Sequence, residues 1–117
     1  MINERRAMST AQLEIKTKSK MFDFEEVKAR FLAYLAERDW NYDVRCYTQE
    51  EWEARGETVG NGSPFVVTMD GCPLYDVLNF YVGAKLFDKT REELDAIFEE
   101  YGFHFELCHS WSFALYE

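Results

Sequence analysis

The sequence predicts an α+β fold. We expect one small domain with a four- to five-stranded mixed or antiparallel sheet, helices packed mainly on one face, and a C-terminal β-hairpin. Three observations predict it. Residues 23–38 and 90–101 each pair a capping residue with apolar residues at helical spacing. Residues 40–47 alternate apolar and polar with period two. Residues 103–116 alternate again, broken only by His109 and Ser110.

Each element has its own local signal. Residues 1–10 read as a flexible N-terminal arm and 11–117 as the domain. Within "QLEIKTK" (12–18), Leu13 and Ile15 alternate with polar neighbours, which predicts a short edge strand. Asp23 is a good N-cap, and Val27, Phe31, Tyr34 and Leu35 form the apolar stripe of the helix it opens. From Trp40 the pattern places Trp40, Tyr42, Val44 and Cys46 on one face of a strand. Thr48 and Glu51 form a capping-box pair before a short helix that Gly56 ends. "PFVVTMD" is rich in β-branched residues and predicts a strand. Pro73 suits the first turn of a helix with Leu74, Val77, Leu78 and Tyr81 inward, and Gly83 is its stop signal. Thr90 and Glu93 open the next helix, whose stripe is Leu94, Ile97, Phe98 and Tyr101, with Gly102 at its end. The resulting order is β–α–β–α–β–α–α–β–β.

Composition bounds the class. The chain has 117 residues, enough for one core, and its 47% apolar and 30% charged residues are those of a globular domain. Aromatic residues make up 17%, more rings than so small a domain readily hides. The net charge of −9 is uneven. Residues 1–21 carry five cations and two anions, and the remainder carries eight cations and twenty anions, a body of −12. Such a body repels nucleic acid and anionic membranes, so neither is expected as a partner. Three cysteines without a C-x-x-C spacing read as reduced thiols in a cytoplasmic setting. The polar N-terminal stretch has no secretory-type apolar run.

"VGNGSPFVVTMDGCP" (59–73) holds three of the six glycines and both prolines. It is not a phosphate cradle. That device needs a strand before the glycines and a helix after them, and here the order is reversed with no lysine following. Its far end, "TMDGCPLYDVL", reads strand, turn, helix. It places Cys72 near a helix N-terminus, where a thiol pKa falls. With Asp70 nearby, and His104 or His109 as the histidines available for a base, Cys72 is a candidate nucleophile. The contrary reading is a small buried cysteine at a turn. No cofactor is implied. His104 and Cys108 would stand about 13 Å apart along a strand, too far to share one metal ion. The carboxylates Glu92, Asp95 and Glu99 form a solvated helix stripe.

The richest surface segment is "ERDWNYDVRCYTQEEWEARGE" (37–57). Asp39, Asp43, Glu50, Glu51 and Glu53 interleave there with Trp52 and other rings. Acids beside aromatics suit a protein partner that presents Arg or Lys. The leading expectation is therefore a small acidic binding protein, of inhibitor or accessory type, that occludes or modulates a partner. A mimic of nucleic-acid charge is a special case of it. The alternatives are a thiol-dependent enzyme or small-ligand domain centred on Cys72, and a homo-oligomer whose rings form its own interface.

Overall fold

The structure, a computed structural model, describes residues 21–117. The arm at 1–10 and the strand expected at 12–18 lie outside the described residues. The elements are α1 (Phe24–Ala36), β1 (Arg45–Tyr47), α2 (Gln49–Ala54), β2 (Val66–Thr68), α3 (Pro73–Leu78), α4 (Ala84–Glu99), β3 (His104–His109) and β4 (Ser112–Tyr116). The four strands form one antiparallel sheet in the order β1-β2-β4-β3, closed at its C-terminal end by the β3–β4 hairpin.

Three of the four helices among the described residues lie on one face, where Phe31 of α1, Leu74 of α3 and Phe98 of α4 meet Val67, Phe105, Phe113 and Leu115 of the sheet. Phe98 is fully buried and its ring lies 6.2 Å from Phe31, 6.1 Å from Phe65 and 6.0 Å from Phe113. The fourth helix, α2, covers part of the opposite face with Trp52, which packs on Val66 and Ala114. The large aromatic content is thus mostly spent on a two-sided sheet.

Capping follows the sequence closely at two helices. Asp23 accepts from the N–H of Glu26 at 3.2 Å, and Thr48 and Glu51 form the reciprocal box. Several boundaries differ. Helix α3 ends at Leu78, short of the expected stop at Gly83, which leaves Tyr81 outside it. Helix α4 begins at Ala84 after Gly83, so Thr90 is a buried mid-helix residue rather than a cap. The strand expected from Trp40 is reduced to three residues, because Asp43 takes a left-handed backbone (φ 54°) that no extended strand can hold. Tyr42 consequently leaves the core face and is half-exposed.

Helices α1, α3 and α4 end in the same way. The N–H groups of Trp40, Tyr81 and Phe103 reach back five residues to the carbonyls of Leu35, Asp76 and Phe98. The residue before each of these donors is left-handed: Asp39 (φ 59°), Phe80 (φ 68°) and Gly102 (φ 84°). This is the Schellman closure, whose left-handed site glycine fills most cheaply. Gly102 conforms, aspartate tolerates the site, and a phenylalanine there is an outlier.

The hairpin carries a bulge. Leu107 pairs with Phe113 and His109 with Ser112, so Cys108 is the extra residue. The bulge turns both Cys108 and His109 towards the face covered by α2, where Cys108 joins the Trp52 cluster and the Nδ1 of His109 meets the hydroxyl of Ser112 at 2.7 Å.

Candidate functional site

The acidic aromatic segment divides into two parts. Asp39 and Asp43 lie in the connection between α1 and β1, both left-handed and both exposed. Asp43 is set against the turn before α3. A β-carbon added to Gly71 would stand 3.1 Å from its Oδ2, so that approach needs glycine. The carboxylates on α2 have structural work. Glu51 accepts from the N–H of Thr48 at 2.9 Å, and Glu53 accepts from the N–H of Gly62 at 3.0 Å and from Gln49 at 3.2 Å. Glu50 faces solvent.

Trp52 departs from the expectation of a surface anchor. It is fully buried, and its indole N–H donates to the carbonyl of Val59 at 3.0 Å. The guanidinium of Arg55 lies 5.0 Å from its ring centre. The indole seals α2 and the 56–63 loop onto the sheet, so no partner reaches it without opening that layer.

A different set of rings is exposed, and the sequence reading assigned its middle member to a helix core. Phe80, Tyr81 and Val82 are 57%, 70% and 54% exposed in succession. They occupy the α3–α4 connection, lifted out by the left-handed Phe80. The ring of Phe80 stacks on Phe87 at 4.0 Å, and Tyr81 lies 6.1 Å from Tyr75. The backbone carbonyl of Asp76 accepts from the N–H of Tyr81, and the carboxylates of Asp76 and Asp43 both act on the Cys72 thiol. The available signal was the sequence "NFYVG", three apolar residues directly after a helix and before a glycine.

The Cys72 constellation does not assemble as a catalytic set. Cys72 precedes α3, but its Sγ donates to the carbonyl of Trp40 at 3.1 Å and the side chain is almost wholly buried. Burial pushes the thiol above its ordinary value, only partly opposed by the N–H of Leu74, and the Asp43 and Asp76 carboxylates raise it further. This direction is opposite to the one expected from a helix N-terminus, because desolvation and two anions outweigh one short helix. His104 is engaged with Glu106 at 2.7 Å and His109 with Ser112. Asp70 is exposed beyond the end of β2.

Cys46 lines a groove of about 370 Å³ with Lys28, Leu32, Val44 and Glu51. Burial pushes its thiol up to about 12, with the Lys28 ammonium opposing, so it too is a neutral thiol at ordinary pH. Among the described residues no three His, Cys, Asp or Glu side chains are grouped to hold a metal ion. No helix among them is long and apolar enough to cross a membrane. Comparison with protein-family models, with characterised proteins and with solved structures gives no match to this chain.

Proposed function

We propose that this chain is a small acidic binding protein that engages a protein partner through the Phe80–Val82 knuckle, with the exposed acids Asp39, Asp43 and Asp76 supplying charge. The observation that carries this reading is the left-handed Phe80. Holding a bulky residue there costs about 1–2 kcal/mol, and what it achieves is the exposure of three apolar side chains in a row. Strain kept where it exposes a ring points to use of that ring. Asp39, Asp43 and Asp76, with the −12 body behind them, favour a partner that surrounds an apolar pocket with Arg or Lys. Glu50 belongs to the same field from farther off. Inhibition or accessory regulation, including mimicry of nucleic-acid charge, is the mode of action we infer for such a surface.

The test uses the immobilised protein and two variants, Asp39→Asn/Asp43→Asn and Tyr81→Ser/Val82→Ser. Asparagine keeps the left-handed backbone accessible while removing charge. A partner captured from the native host should associate more slowly with the first variant and with raised salt, and dissociate faster from the second. Equal association and dissociation for all three proteins would exclude this surface as the site.

A further inference from the structure

The face of the sheet covered by α2 is covered only in part. The register aligns Arg45, Thr68, Ser112 and His109 in one row across all four strands. The next row on that face runs Tyr47, Val66, Ala114 and Glu106, and its first three members pack with Trp52. A fully polar row across a sheet of this size is unusual beside such a neighbour, since strands that bury both faces favour apolar residues. Arg45 and Thr68 of the polar row, with Tyr47, Arg55, Asp70 and Trp111, line a cleft of about 360 Å³. That is the size of a small-molecule site.

Two guanidinium groups converge there in a strongly acidic protein. Arg55 is held in place. It donates to the hydroxyl of Tyr47 at 2.8 Å, approaches Glu57 at 3.8 Å, and lies over the rings of Tyr47 and Trp52. Arg45 makes no hydrogen bond or ion pair among the described residues, and neither does the Thr68 side chain, although Thr68 is 8% exposed. The Thr68 hydroxyl and the Arg45 guanidinium both line the cleft without a partner of their own among the described residues, so both are available to a ligand there. Trp111 supplies an apolar wall. Its indole is steadied by His109, stacked 4.3 Å away and 2° from parallel, and that histidine is itself fixed by Ser112.

We propose that this cleft binds a small organic anion. Its phosphate or carboxylate group lies against Arg45, Arg55 and the Thr68 hydroxyl, and its flat body lies against Trp111. Arginine suits planar oxyanions because its fork offers two parallel N–H donors. Asp70 at the margin accepts from a hydroxyl or amino group of the ligand. Its negative charge, and that of the body, select a small ligand over a polyanion. No residue lining the cleft belongs to the knuckle, and the proposal does not depend on the proposed protein partner.

Isothermal titration calorimetry tests the proposal, with three probes: inorganic phosphate, adenosine monophosphate and indole-3-acetate. A Trp111→Phe variant identifies the Trp111 contribution. At least one ring-bearing probe should bind saturably with a dissociation constant at or below about 1 mM, and inorganic phosphate should bind more weakly. A response to the nucleotide alone assigns a phosphate, and a response to the indole acid alone assigns a carboxylate. Arg45→Ala should weaken binding by roughly ten-fold or more, Arg45→Lys by less, and Thr68→Val by a few-fold. Arg45 is exposed, so its replacement leaves the fold in place. Two outcomes overturn the proposal: no saturable response to any probe up to about 10 mM, or an affinity unchanged in Arg45→Ala.

Discussion

The thiol of Cys72 donates a hydrogen bond to the carbonyl oxygen of Trp40, 3.1 Å away across 32 positions of sequence. This contact fastens the connection after α1 to the start of α3. It also disfavours the thiolate, since the proton it donates is the one a nucleophile must lose. Limited iodoacetamide labelling at neutral pH, mapped by mass spectrometry, should therefore modify Cys72 last. Cys46 and Cys108 are only part-buried and should react first, though slowly, because burial raises both thiols. Preferential labelling of Cys72 in the folded protein would restore it as a candidate nucleophile.

Stability should fall in alkali. Burial, then a hydrogen bond to Glu93, pushes the Tyr34 hydroxyl from 10.0 up to about 12. Burial, then Cys108, does the same for Tyr116, and burial takes Cys46 from 9.0 to about 12. These groups hold their protons more tightly when folded. Their contribution is complete below the unfolded values and is lost as the pH rises through the folded ones. Urea midpoints under reducing conditions should be level near pH 8 and decline between about 9 and 12, and Tyr116→Phe should flatten part of that decline. Glu93 acts at the other extreme. The Tyr34 hydroxyl, and then Arg38, hold it below its ordinary value, so its share is lost as the pH falls through the folded value. A midpoint independent of alkaline pH would show that these side chains are solvated.

Trp52 should be a stability residue and not a binding one. Its ring is as deeply buried as that of Phe98, each with no exposed surface. Replacing either with alanine should cost about 3–5 kcal/mol in denaturant unfolding. Trp52→Ala should also loosen the 56–63 loop, whose Val59 carbonyl loses its donor and whose Gly60 packs on the indole. A Trp52→Ala protein of native stability that fails to bind its partner would return the tryptophan to the interface.

Periodicity made α1, the hairpin and the main core legible, because Val27, Phe31, Leu94, Phe98, Phe105 and Phe113 all repeat with the period of their own element, and the Thr48–Glu51 capping pair made α2 legible. Strand order and the second face of the sheet were not legible. Trp52 looked like a surface ring because its neighbours on α2 are acids, yet a six-residue helix buries one side chain deeply while the others stay wet. The polar row of Arg45, Thr68, Ser112 and His109 exists only through cross-strand register, which joins residues far apart in the chain. The left-handed backbones at Asp39, Asp43 and Phe80 follow from how the helices dock, and nothing in local propensity marks a phenylalanine for such a site.

Phe80 offers the sharpest separation of structure from use. Glycine at this left-handed position relieves about 1–2 kcal/mol of backbone strain. The same change forfeits the stack on Phe87, worth about 0.5–1.5 kcal/mol, and a modest buried area, because the ring is more than half exposed. The terms nearly offset, so Phe80→Gly should leave the unfolding midpoint within about 1 kcal/mol of the parent. Binding should respond differently. An exposed aromatic anchor contributes about 2 kcal/mol or more when it fills a partner's pocket, so affinity should drop at least roughly thirty-fold, mostly through faster dissociation. Denaturant unfolding and surface plasmon resonance on the same preparation read both quantities. A variant that loses several kcal/mol of stability would make Phe80 a packing residue, and one that keeps both stability and affinity would leave the strain at this helix end without a role in recognition.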